Sequence, residues 1–249
     1  FPWRVSLFVG KIGQRKGSGC SGTIIDKNWV LTAAHCFDGV KGLAPSKYFV
    51  QIEYGNVTLP SKTPLFWNVL GTDVLIHNNY DNVPPNLNFM SDIALIRLLR
   101  GFTFTDSVRP ICLPYKSKEA KYTGYVTYAS GWGAWKGAKG SFESPNVLQW
   151  SEFYIIDFDD CTVLAKSLGW PYNVNQTQMC IKSDNSDVCE GDSGGSIDTP
   201  DARRRFYALG IQSVRTGRCN YKNNISILTR IDKYLEWIER MTGLKFCTE

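Results

Sequence analysis

An all-β barrel or sandwich fold is predicted for this chain, and three observations predict it. Short β-rich segments recur along its length, turn residues separate them, and only one stretch carries clear helical spacing. Alternating βαβ units would instead interleave strands with helical patterns of about 10–15 residues.

The segments follow in order. "WRVSLFV", "GTIID", "WVLTAA" and "YFVQIEY" open the chain, and "NVLGTDVLI" and "IALIRL" follow. After a polar, basic stretch come "YVTYASGW", "LQWSEFYII", "FYALGIQSV" and "ISILTRI". Branched and aromatic side chains suit a pleated, half-buried surface. The polar stretch, "PYKSKEAKYTG" from Pro114 to Gly124, reads as a crossover between two halves. The organisation is therefore residues 1–114, a linker at 115–124, residues 125–231 and a terminal helix at 232–243. In that helix Tyr234, Leu235, Ile238 and Met241 recur at helical spacing, with Asp232 near the start and Gly243 past the end.

With 249 residues the chain can bury a substantial core, and its 43% hydrophobic and 20% charged residues are ordinary for a folded soluble protein. No uncharged apolar run is long enough to span a bilayer, so no membrane segment is expected. No signal peptide is visible at "FPWRVSL", as if upstream sequence had been removed. Eight cysteines follow no metal-site spacing, and together with three sequons they read as four disulfides in an oxidising compartment. The sequons begin at Asn56, Asn175 and Asn224, and they favour secretion. The net charge of +5 is modest, and its densest part is Arg203, Arg204 and Arg205. That run reads as a solvated loop or as a docking patch for an acidic protein or polysaccharide. No nucleic-acid module, repeat or low-complexity tract is found.

The chemistry centres on "VCEGDSGGSI", residues 188–197. Glycines let the backbone approach a ligand closely, and backbone N–H groups turned the same way form a pocket for negative charge. Ser193 in such a turn can attack a carbonyl, while its own N–H and that of Gly191 stabilise the oxyanion. A Gly-rich surface turn is the plain alternative. Of the two histidines, His77 in "LIHNNYD" reads as a surface imidazole. His35 in "VLTAAHCFDG" is wedged where packing would hold its ring, in either a structural or a chemical role. Asp92 begins the apolar "SDIALIRL", so its carboxylate is drawn inward, and an inward carboxylate needs a partner. His35 would satisfy it, and Asp92 would orient the ring.

"WVLTAAHC", "SDIALIRL", "ICLP", "SGWG", "CEGDSGGS" and "YLEWIER" occur in the order found in trypsin-like serine proteases, and across its whole length the chain resembles that chymotrypsin family. The resemblance implies two six-stranded antiparallel β-barrels with a cleft between them and a C-terminal α-helix, one peptidase domain overall. It makes His35 the general base, Asp92 its orienting partner, Ser193 the nucleophile, and Gly191 and Ser193 the oxyanion donors. Ser213 would support the aspartate. This family is itself the template for triad chemistry, so the mechanism is carried over with the resemblance. It also implies the disulfides Cys20–Cys36, Cys161–Cys180 and Cys189–Cys219. A further bridge of many relatives is replaced here by Thr127 and Thr199. Cys112 and Cys247 remain, either paired with each other or with Cys112 bonded to an upstream pro-region.

Asp187 stands at the family's specificity-pocket floor, where an aspartate selects Arg or Lys through a charge-assisted pair. The opposite wall departs from the family. Val214 and Arg215 follow Ser213 where tryptophan and glycine are usual, and Ile225 and Ser226 stand where proline and glycine are common. Arg215 or Arg218 in reach of Asp187 would make the free enzyme self-inhibited. The family's activation step pairs a freed apolar terminus with the aspartate at Asp192. A chain starting at "FPW" brings no such terminus, so a loose oxyanion loop is expected. No calcium loop, metal or other cofactor is expected.

The sequence therefore predicts a secreted, trypsin-like serine endopeptidase that cleaves after Arg or Lys, made as a zymogen and restricted in specificity. Its partners would be protein substrates and a protein inhibitor. The alternative is a protease-like domain disabled in catalysis and acting as a binding or regulatory module. A lipase or esterase is disfavoured, since G-x-S-x-G is absent.

Overall fold

The computed structural model describes residues 1–60, 65–80, 89–114, 122–136, 142–217, 219 and 224–246. Expectations for Arg218 and Cys247, and for most of the 115–124 crossover, lie outside the described residues.

The first half forms one antiparallel sheet. Its strands are β1 (Arg4–Lys11), β2 (Gly17–Asp26), β3 (Trp29–Thr32), β4 (Tyr48–Tyr54), β5 (Leu65–Leu70), β6 (Val74–Ile76) and β7 (Ala94–Arg97). They lie in the order β5-β4-β1-β2-β3-β7-β6. Among the described residues this sheet therefore has seven strands, with β5 and β6 at its edges. The alternation of a strand with one buried face selects the register: Leu7 lies opposite Ile52 and Val9 opposite Val50, all four buried.

The second half continues with β8 (Val126–Gly131), a short ribbon of β9 (Trp135–Lys136) and β10 (Phe142–Glu143), then β11 (Gln149–Ile156). Helix α1 (Phe158–Ser167) precedes β12 (Gln178–Lys182), β13 (Ser196–Pro200), β14 (Phe206–Arg215) and β15 (Ser226–Arg230). Strands β11-β12-β15-β14-β13-β8 close into a six-stranded barrel, which leaves no strand edge unpaired. The fold is thus all-β and trypsin-like, as expected, but only the second half forms the expected closed six-stranded barrel; among the described residues the first half is a seven-stranded sheet with two edges.

Helix α2 (Leu235–Thr242) is the last helix among the described residues. It is stopped by Gly243 in the left-handed region (φ 71°), whose N–H returns to the Glu239 carbonyl. Its buried face of Leu235, Trp237 and Ile238 joins the core of the first sheet, so this helix docks back on the N-terminal half. His77 lies beneath this helix, edge-on to Tyr234 at 5.2 Å and tilted on Trp237 at 5.1 Å. It is a packed ring rather than a plain surface imidazole, and burial beside Arg240 lowers its pKa.

Helix α1 has no counterpart in the strand-and-turn reading of this region. The Asp157 carboxylate caps it by accepting from the Asp159 N–H (2.9 Å). Its inward residues Cys161 and Ala165, four apart, are fully buried against β12 and β15.

Candidate active site

Three segments carry the candidate site residues. β3 runs into a tight 3-10 turn, Ala34–Val40, which starts with small buried residues and carries His35. The Cys20–Cys36 disulfide ties this turn to β2. The donor atoms of Cys20, His35 and Cys36 lie within 4.8 Å of one another, but the two sulfurs are bonded, so the cluster braces the ring and does not offer a metal site.

Asp92 precedes β7 and is fully buried. A bare carboxylate there would be costly, and three donors satisfy it. His35 donates to it twice, from its backbone N–H (2.8 Å) and from Nδ1 (2.7 Å). Ser213, at the end of β14, donates its hydroxyl at 2.5 Å. Burial alone would lower the His35 pKa, but the charge and bond of Asp92, aided by Asp38, outweigh it and hold the imidazole above its ordinary value. The ring is therefore fixed in orientation, with its Nδ1 side committed to Asp92.

Ser193 is half-buried in the loop before β13. Its carbonyl accepts from the Ser21 N–H (2.7 Å), and the Gly194 N–H donates to the Gln212 carbonyl (2.8 Å). Gly191 has φ 99°, and a Cβ on Gly194 would stand 2.1 Å from the Thr32 hydroxyl, so no larger residue fits at that position. Asp192 is not left bare. Its carboxylate accepts from the Gly133 N–H (2.8 Å) and the Cys189 N–H (3.0 Å) and packs on Gly131 and Gly133. Burial pushes its carboxyl above the ordinary carboxylate range, against the pull of those two bonds and of Arg4.

Two cavities flank this loop and share Val188, Cys189 and Gln212 as a wall. One, of 310 Å³, is bordered by Ser193, Ser213, Val214, Arg215 and Ser226, and by Phe89 and Trp170. The other, of 230 Å³, is bordered by Asp187, Asp192 and Gly133. Asp187 thus lies on the second cavity rather than among the residues bordering the first, and its Oδ2 accepts from the Asn224 carboxamide (2.9 Å). Arg215 does not reach Asp187. Its guanidinium donates to the Gly217 carbonyl (2.6 Å) and pairs with Glu190 (3.3 Å).

Phe89, edge-on to His35 at 6.0 Å, Trp170 and Gln212 escaped the sequence reading, which took Asn224 only as the start of a sequon. Aromatic residues flanked by polar loop positions were the available signal for the first two. Disulfides Cys161–Cys180 and Cys189–Cys219 are also present, and the latter ties the site loop to residue 219. Each of the three bridges closes a loop of 16 to 30 residues; loops of that length contribute about 3–4 kcal/mol in the chain-entropy account.

Arg203, Arg204 and Arg205 form the β13–β14 turn. Asp201 accepts from the Arg203 and Arg205 N–H groups and pairs with the Arg205 guanidinium (2.9 Å), which leaves Arg203 and Arg204 as the solvated charges.

An all-β fold with His35 bonded to a buried Asp92, and Ser193 on a loop that borders a lined cavity, is that of a serine endopeptidase domain. The trypsin family profile, described simply as "Trypsin", matches residues 1–238, and the chain belongs to that family. It is 29% identical over 250 residues to vitamin K-dependent protein C of Mus musculus, covering 98% of this chain and 50% of that protein. It is 33% identical over 248 residues to transmembrane protease serine 11B of Homo sapiens, covering 98% of this chain and 53% of that one. The chain therefore spans about half the length of these curated relatives. Among the described residues no helix is long and apolar enough to cross a membrane.

Proposed function

We propose that this chain is a secreted, restricted-specificity serine endopeptidase that cleaves after Arg or Lys and is made as a zymogen. The observation that carries the reading is the buried Asp92, bonded to both His35 and Ser213, next to the loop that presents Ser193. Ser193 attacks the scissile carbonyl while His35 takes its proton and returns it to the leaving amine. Gly191 and Ser193 supply the oxyanion donors. Asp187 is the anchor for the substrate cation. The 230 Å³ cavity in front of Asp192 supports the zymogen reading, because it offers room for an amino group at a carboxylate now held by backbone N–H groups. Secretion is supported by the three disulfides.

Hydrolysis of a peptidyl-Arg amide before and after limited proteolytic activation, with a peptidyl-Phe amide as control, tests this. Turnover of the Arg amide is expected, increased by activation. Loss of neither bond-breaking step on Ser193→Ala would sink the reading. Because the His35 pKa is raised, and only the neutral ring accepts the serine proton, kcat/KM should fall on the acid side with a midpoint above 6.5. A midpoint at or below that value would show that Asp92 does not dominate the ring.

Arg215 is held at the wall of the 310 Å³ cavity with its side chain only 18% exposed. In this reading it narrows the entrance and contributes self-inhibition. Arg215→Gly should raise kcat/KM for small amides several-fold; unchanged kinetics would remove Arg215 from the account. Arg203 and Arg204 remain available to an acidic partner.

A further inference from the structure

Asn224 was singled out in the sequence only as the first residue of a sequon. The fold gives it a different setting. It lies two residues before β15, where the Thr216 N–H donates to the Ile225 carbonyl (3.0 Å) and the Ile225 N–H donates to the Thr216 hydroxyl (3.1 Å). These bonds clamp the approach to β15 against the end of β14. The clamp directs the Asn224 side chain over Gly217, which has φ 65°: a Cβ built there would stand 2.6 Å from Asn224 Oδ1. From that seat Asn224 Nδ2 donates to Asp187 Oδ2 at 2.9 Å, in a half-buried position.

Two consequences follow from chemistry. A carboxylate binds a guanidinium best when both oxygens are open to a two-pronged donor, and it binds an ammonium as a point charge. A carboxamide already seated on Oδ2 competes with either. Asp187 is also absent from the residues bordering the 310 Å³ cavity beside Ser193, so a substrate cation entering there must draw the carboxylate toward itself and away from Asn224. The second consequence concerns the sequon. Nδ2 is the atom that would carry a glycan, and Ile225 and Ser226, the other two sequon residues, are 2% and 3% exposed.

We propose that Asn224 is a specificity-determining residue: its carboxamide caps Asp187, weakens the pocket's selection of Arg and Lys, and is not a glycan attachment site in the folded protein. The inference rests on the reading of Asp187 as the cation anchor. It supplies a physical source for restricted specificity, because displacing the cap consumes binding energy that an extended substrate must provide elsewhere.

The test uses the full chain, produced in secretory cells, with p-aminobenzamidine as the probe. Its amidinium resembles the guanidinium fork, and its binding does not depend on turnover. A hydrogen bond to a charged group sets the scale, so Asn224→Ala should tighten probe binding roughly ten- to a hundredfold. It should raise kcat/KM for peptidyl-Arg and peptidyl-Lys amides by a similar factor and leave a peptidyl-Phe amide unchanged. A general loosening of the fold would not split the substrates in this way. If Asp187→Asn abolishes probe binding while Asn224→Ala stays within twofold of the parent, the cap is disproved and the anchor stands. If Asp187→Asn binds the probe no differently from the parent, the anchor itself fails and the inference falls with it. Peptide mapping after enzymatic deglycosylation in heavy-oxygen water gives a separate readout. An unlabelled Asn224 is expected, and a labelled one would mean that the side chain faces solvent and caps nothing.

Discussion

Asp92→Asn is expected to lower kcat for a peptidyl-Arg amide by about 10⁴-fold while leaving the fold intact, the magnitude belonging to the family's own template and carried over to this chain. The geometry here says why so small a change should cost so much. Asp92 is an acceptor for three donors: the His35 N–H, the His35 ring and the Ser213 hydroxyl. An asparagine keeps one oxygen and replaces the other with a donor. If the amide oxygen stays with the His35 backbone N–H, the NH₂ faces Nδ1 and the Ser213 hydroxyl. The ring then has to present a bare Nδ1, which puts the proton on Nε2, the nitrogen needed to accept from Ser193. The negative charge that holds the imidazole pKa up disappears as well, so the charged ring formed during acyl transfer loses its partner. The measurement is kcat and KM across pH. A fall carried by kcat with KM nearly unchanged is expected, because the lost interaction matters in the transition state. A loss of less than about tenfold would mean that His35 acts without Asp92.

Much of this site was legible in the sequence because its signals are local. Asp92 opens an apolar strand, His35 sits among small residues next to a cysteine, and Ser193 stands in a glycine run. Each says something about its own surroundings within a few residues. Helix α2 was legible for the same reason: its apolar spacing and Gly243 are both in view. Helix α1 was not, since only Cys161 and Ala165 form its buried stripe and the capping Asp157 directly follows a strong strand. The Asn224 partner of Asp187 was hidden for a different reason. Asn224 is 37 residues away, and its sequon suggested a solvent-facing role that the fold does not give it. Gln212 likewise reads as one polar position in an apolar strand, and only the barrel shows that it stands between two cavities. The most distant case is Arg4. In "WRVSLFV" the period-2 pattern sends Val5 to the core and Arg4 to the other face, which reads as solvent; that face is instead covered by the second half of the chain.

Arg4 is 2% exposed, and its side chain is sealed together with that of Asp198. The guanidinium reaches Asp198 (3.3 Å), the Ser196 carbonyl (2.7 Å), the Ser130 hydroxyl (3.0 Å) and the Thr23 hydroxyl (3.2 Å). Asp198 also accepts from the Trp3 indole (2.8 Å) and from the Ser196 hydroxyl. β1 and β2 of the first sheet are thereby joined to β8 and β13 of the barrel by one buried polar network. Removing one partner of such a pair leaves the other charge without compensation, at about 3–5 kcal/mol. Arg4→Met should therefore destabilise the chain by that amount and lower Tm by roughly 10 °C, on the scale of 2–4 °C per kcal/mol for a chain of this size. Asp198→Ala should cost at least as much, because it also orphans the buried Trp3 N–H, at about 1–3 kcal/mol. The double variant Arg4→Met with Asp198→Val distinguishes a charge effect from a packing effect. Exchange of a buried pair for apolar residues is often neutral or stabilising, yet here the Trp3 indole and the Thr23, Ser130 and Ser196 hydroxyls would lose acceptors or donors. The double variant should recover part of the loss and stop short of the parent. The network also reaches the catalytic loop, since a Cβ on Gly195 would stand 2.6 Å from Arg4 Nη1. Thermal unfolding followed alongside kcat would separate the two contributions. If both single variants unfold within about 1 kcal/mol of the parent, water or relaxation must reach the buried charges and the seam is not sealed; if stability falls as expected while kcat in the surviving folded fraction holds, the network secures the two halves without setting the loop that carries Ser193.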